Sequence, residues 1–217
     1  MTNYTRMTLL SAALAAFLLP ATAQTSSAPA SAGAPATTTP AQTGPETGQQ
    51  VQQRKENQQD RIANGVANGS LTSNETSNLE KKESQLNQEE RDMKAMDNGH
   101  LTKADRATLQ QQQNQLSNQI HQDKHNANVQ NPHPTTEFGK RRENQQDRIA
   151  QGIKSGQLTA GEASHLENRE SNISQEVKKD RAANGGKLTA AERAQVNRQQ
   201  NHVSKQIYKD KHNARHQ

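Results

Sequence analysis

The 217-residue chain is 28% hydrophobic and 2% aromatic, has no cysteine, and carries 27 Lys and Arg against 22 Asp and Glu. That composition excludes disulfides, a cysteine nucleophile and a lipid-attachment cysteine, and leaves few residues for an apolar interior. Beyond residue 23 the only aromatic side chains are Phe138 and Tyr208, so base stacking is nearly excluded and no specific nucleic-acid partner is expected.

Residues 1–23 place Arg6 before an apolar run, Met7 to Leu19, followed by Pro20 and Ala21-Thr22-Ala23. This is the pattern of a secretory signal peptide cleaved before Gln24. The run is shorter than the ~20 apolar residues of a spanning helix, so a bacterial-type periplasmic or secreted protein is expected, with no transmembrane segment in the mature chain. Residues 24–50 are rich in Ala, Pro and Thr without hydrophobic periodicity, and read as a disordered tether.

Residues 54–130 then align with 141–217 at an offset of 87 without a gap, identical at 40 of 77 positions. The expected organisation is a first repeat unit over 51–130, a Pro-containing linker over 131–138 and a second unit over 139–217. The charge is unequal. Residues 54–130 carry a net −1 and residues 138–217 a net +7, so an anionic partner should prefer the second half.

Within each copy a Gly-x-Leu-Thr-x-x-acid unit occurs twice, at Gly69 and Gly99 and again at Gly156 and Gly186. Glycine suits the left-handed residue that ends a helix. Thr72, Thr102, Thr159 and Thr189 then serve as N-caps, with Glu75, Asp105, Glu162 and Glu192 at capping-box spacing. Leu71, Leu101, Leu158 and Leu188 lie between stop and start, placed to plug the bundle end. Apolar residues recur at helical spacing between the turns: Leu79, Leu86 and Met93 with Met96 beside them; Leu109, Leu116 and Ile120; Leu166, Ile173 and Val177; Val196, Val203 and Ile207. The expected fold is all-α, an elongated helical repeat of two homologous three-helix antiparallel units with coiled-coil-like packing. One copy holds too few large apolar residues to be secure alone. Stability is expected from packing of the copies, a homo-oligomer or a ligand.

The turns are similar to the second half of an EF-hand loop, with glycine, an apolar residue, Thr and an acid at its positions 6, 8, 9 and 12. In the first turn Asn64 and Asn68 supply oxygens at positions 1 and 5 and Glu75 stands at 12, a candidate weak divalent-cation site; at positions 1, 3 and 5 the other turns offer Lys94, Met96 and Asn98, then Gln151, Ile153 and Ser155, then Arg181, Ala183 and Gly185, with no acid among them. His121 and His125, and His212 and His216, stand at i, i+4, a spacing that offers two imidazoles to Zn, Cu or Ni on one helical face. "LTKADRATL" and "LTAAERAQV" resemble the LTxxQ signature of the periplasmic Spy and CpxP stress proteins, with an acid in place of Gln. That resemblance implies a cradle-like dimer that binds unfolding chains or metals.

No G-x-S-x-G elbow, phosphate loop, H-E-x-x-H or cysteine nucleophile is present, so no enzyme activity, catalytic residue or cofactor is expected. The expected role is non-enzymatic binding or scaffolding of a protein or an anionic envelope surface, in the manner of a Spy-like chaperone. The alternative is weak divalent-metal binding through the His pairs or the EF-hand-like turn.

Overall fold

The computed structural model describes residues 47–130 and 134–216. Among them are six α-helices and no strand: α1 Gly48–Ala67, α2 Ser73–Met96, α3 Lys103–Lys124, α4 Glu137–Lys154, α5 Ala160–Ala183 and α6 Ala190–Lys211. The fold is all-α. The expected signal peptide and residues 24–46 of the expected tether lie outside the described residues, but residues 48–50, assigned to that tether, are helical. Thr47 caps α1, its side chain accepting from the Gln50 N–H while Gln50 closes a capping box, a Thr-x-x-Gln signal masked by its Ala/Pro/Thr-rich surroundings. Likewise α4 begins at Glu137, inside the segment assigned as linker, with Thr136 as its cap.

Thr72, Thr102, Thr159 and Thr189 each cap a helix, their side chains accepting from the N–H groups of Glu75, Asp105, Glu162 and Glu192 while each acid reaches back to the cap. Gly69, Gly99, Gly156 and Gly186 have positive φ. Beyond that the turns fall into two kinds. After α1 and α4, Leu71 N–H donates to the Gly65 carbonyl and Leu158 N–H to the Gly152 carbonyl, both at 3.0 Å. The leucine folds back so closely that a Cβ at either Gly65 or Gly152 would stand 2.6 Å from its side chain. After α2 and α5, Gly99 and Gly186 donate to the Lys94 and Arg181 carbonyls at 2.7 Å, and Asn98 and Gly185 add a second left-handed residue. The first kind buries Leu71 and Leu158 completely; in the second kind Leu101 is buried and Leu188 only half-buried.

α3 packs against α1 and α2, and α6 against α4 and α5; the most extensive packing is α2 against α5, followed by α1 against α4. One hydrophobic cluster runs through all six helices. It is thin, and buried amides supplement it. Gln58 and Gln113 donate to the backbone carbonyls of Gln113 and Val51, and Gln145 and Gln200 to those of Gln200 and Phe138, at 2.7 to 3.1 Å. A buried side-chain amide is tolerated when bonded in this way. Met96, expected beside the core stripe, is 76% exposed, because α2 ends there and the chain turns away.

Candidate functional site

The feature that composition did not reveal is a seam of carboxyls between α2 and α5. Ser77 Oγ donates to the Ser164 carbonyl at 3.0 Å and Ser164 Oγ to the Ser77 carbonyl at 2.8 Å. These residues are 87 positions apart, so equivalent positions meet reciprocally. One and two helical turns further along, Glu80 and Glu83 on α2 and Glu167 and Glu170 on α5 are all 0% exposed. Gln59 on α1 donates to Glu80 at 3.2 Å and Gln146 on α4 to Glu167 at 2.9 Å. Both oxygens of Glu83 and of Glu170, and Oε1 of Glu80 and Glu167, accept no hydrogen bond from any described residue.

An isolated buried carboxylate is strongly disfavoured against its neutral form. Burial accordingly pushes Glu83 up to about 7, with Lys55 opposing and Glu90 adding to the rise. Burial likewise lifts Glu167 to about 7 against Gln146, Ser73 and Arg142, and Glu170 to about 8, the Glu167 charge reinforcing that rise and Arg142 opposing it. Glu80 is raised well above the usual range by burial and by its neighbours Glu83 and Glu167. Arg142 on α4 donates to Ser174 Oγ at 3.1 Å and lies 5.9 Å from the centre of the Phe138 ring. The chemistry of this seam is proton holding near neutrality at a helix–helix interface.

The EF-hand-like turn is committed elsewhere. Glu75 Oε2 accepts from the Thr72 N–H and hydroxyl at 2.9 and 2.7 Å, and Oε1 from Asn126 and Asn128 at 2.8 and 3.1 Å. Burial raises this carboxyl, but those bonds outweigh it and hold it below the usual range. Asn68 Oδ1 accepts from the Ser70 N–H at 3.0 Å, and Asn64 is an exposed residue of α1. The second half repeats the tie, Asn213 donating to Glu162 Oε1 at 2.8 Å. Glu75 and Glu162 therefore anchor the segments that follow α3 and α6.

The His121 and His125 rings lie tilted at 37° with centres 4.2 Å apart, and His125 Nδ1 donates to the His121 carbonyl at 2.7 Å. In the second half Tyr208 stacks on His212 at 4.2 Å. The helical-face reading of His212 and His216 needs correction: α6 ends at Lys211, His212 is its C-cap and His216 lies beyond it. Among the described residues no three His, Asp or Glu side chains converge as metal ligands, and no helix is long and apolar enough to cross a membrane. No family model matches the chain, and neither a curated protein nor a solved structure matches it.

Proposed function

We propose that the chain is an exported, non-enzymatic binding or scaffold protein built from two copies of one three-helix unit, the second of which engages an anionic partner such as an envelope surface. The reading rests on one observation. Arg198, Lys205 and Lys209 are exposed residues of α6 at i, i+7 and i+11, which puts them on one line of the helix. Their equivalents 87 residues earlier are Gln111, Asn118 and Gln122, exposed and uncharged on α3. The change supplies charge without touching the core, since the buried positions alternate with it: Val196, Val203 and Ile207 on α6, Leu109, Leu116 and Ile120 on α3. A stripe of like charge raises the local concentration of an anionic partner and steers its approach.

The test is retention on anionic vesicles or heparin as salt is raised. Binding is expected to weaken steeply between about 0.05 and 0.5 M salt, as screening shortens the reach of surface charge. Arg198→Gln/Lys205→Gln/Lys209→Gln should lose most of it, and Gln111→Lys/Asn118→Lys/Gln122→Lys should gain. Salt-insensitive retention, or retention unchanged in the first variant, contradicts the reading.

A further inference from the structure

A cavity of about 350 Å³ opens where the start of α4, the end of α5, the α5–α6 turn and α6 meet. Its apolar side is Phe138, Leu188 and Val196, and its cations are Arg181, Lys187 and Arg193, with Glu137 the one acid among the lining residues. The equivalent place in the first half is filled more closely, and one of its cations is paired. Val51 and Leu101 are buried, whereas Phe138 and Leu188, which correspond to them, are only partly so; Leu109 and Val196 are buried alike. Lys94, which corresponds to Arg181, pairs with Glu90 at 2.6 Å, and Glu90 also takes Lys55 at 2.8 Å. In the second half the position of Glu90 is held by Val177, a buried core residue, so the carboxylate that pairs with Lys94 has no counterpart beside Arg181. Likewise His100 is replaced by Lys187. Of the three cations, Arg193 is tied to the turn, donating to the Leu188 carbonyl at 2.9 Å. An apolar wall beside three cations, one of which has lost the carboxylate that pairs its first-half equivalent, calls for a ligand with both an apolar body and an anionic head.

We propose that this cavity binds one single-chain anionic amphiphile, a medium-chain fatty carboxylate, its acyl chain against Phe138, Leu188 and Val196 and its carboxylate among Arg181, Lys187 and Arg193. The size fits: the volume stands at the lower end of the range for small-molecule sites, which are mostly apolar with a few placed polar groups. That is room for one acyl chain, not for a two-chain lipid. An arginine fork suits a carboxylate head. The cationic line of α6 used above, Arg198, Lys205 and Lys209, does not line the cavity, so this site and the anionic-surface reading stand or fall separately.

Calorimetric titration of the full chain with sodium decanoate, kept below its micellar concentration at pH 7.5, tests the site. Saturable heat at one decanoate per chain is expected, with none from butyrate, which lacks the chain, or from octyl glucoside, which lacks the charge. Arg181→Gln/Lys187→Gln should weaken decanoate at least about tenfold, while circular dichroism shows the helices intact; both residues lie outside the core. Lys94→Gln/His100→Gln, at the equivalent positions of the first half, should leave affinity unchanged. The proposal is overturned by no decanoate heat, by equal heat from octyl glucoside, by undiminished affinity in the Arg181/Lys187 variant, or by binding that appears only with anionic vesicles. Heparin retention that persists while decanoate fails would remove this site alone.

Discussion

Raising the pH from about 5 to about 8 is expected to destabilise the protein by several kcal/mol. In the unfolded chain a glutamate ionises near 4.5, whereas in the folded chain Glu83 and Glu167 ionise near 7 and Glu170 near 8. Between those values the native state holds protons that the unfolded state has released, so stability falls as pH rises through the window and levels off above it. Each such carboxyl contributes a loss on the order of 3 kcal/mol, at about 1.4 kcal/mol per pH unit. Because the four carboxyls interact, they release protons as a set. The charges facing them are Lys55 from α1, Arg142 from α4 and Glu90 from α2. Each seam base therefore offsets part of the loss without abolishing it. At the acid end the sign reverses. Glu75 and Glu90 are raised by burial, but hydrogen bonds from Thr72, Asn126 and Asn128 to the first, and from Lys55 and Lys94 to the second, leave both below the usual value. Their stabilisation is lost as pH falls below about 4.5, so the maximum lies near pH 5.

Glu83→Gln/Glu170→Gln separates this account from a general effect of pH. The amides cannot ionise, so the double variant should melt above the parent at pH 8, close to it at pH 5, and show a much flatter pH profile by circular dichroism. Both residues leave two buried oxygens unbonded, so little hydrogen bonding is forfeited by the change. A variant destabilised equally at both pH values would show that the carboxyls serve packing alone.

The second large effect is expected at the turn leucines, and it should be unequal. Leu71 and Leu158 are fully buried against Gly65 and Gly152. Truncation to Ala leaves a cavity beside a glycine that has no side chain to fill it. The cost should be about 2–5 kcal/mol, a fall in Tm of roughly 5–15 °C for a protein of this size. Leu188→Ala, at a half-buried position beside an open cavity, should cost about 1 kcal/mol or less, since little transfer energy and no closed void are involved. Thermal melts of the three variants at pH 5, where the seam is protonated, decide it. Equal destabilisation by Leu158→Ala and Leu188→Ala would mean that Leu188 is packed as closely as Leu158.

The contrast between these two features shows what the sequence could reveal. Helix ends were legible because capping is local chemistry: Thr72 and Glu75 meet across three residues whatever the rest of the chain does. The core stripes were legible for the same reason of periodicity. The carboxyl seam depends on which helix faces which, and "LEKKESQL" around Glu80 and Glu83 reads as a solvated charged face until α5 is laid on it. A fainter signal did exist. Ser77, Glu80, Glu83 and Ser84 are identical in the second copy, while Asn78, Lys81, Lys82 and Gln85 beside them are replaced by His165, Asn168, Arg169 and Asn172. Polar residues retained at helical spacing while their neighbours drift mark a face that is buried in both copies. The boundary of α1 was missed for a different reason. Composition over 27 residues outweighed a four-residue capping signal at Thr47 and Gln50.

Carbon-detected NMR of glutamate side-chain carboxyls, followed from pH 3 to pH 9, reads the seam directly. Glu83 and Glu167 are predicted to titrate near 7 and Glu170 near 8, with Glu80 later than an ordinary glutamate and Glu75 earlier than one. If all four seam carboxyls instead titrate together near 4.5, they are solvated, and α2 does not pack on α5 as described.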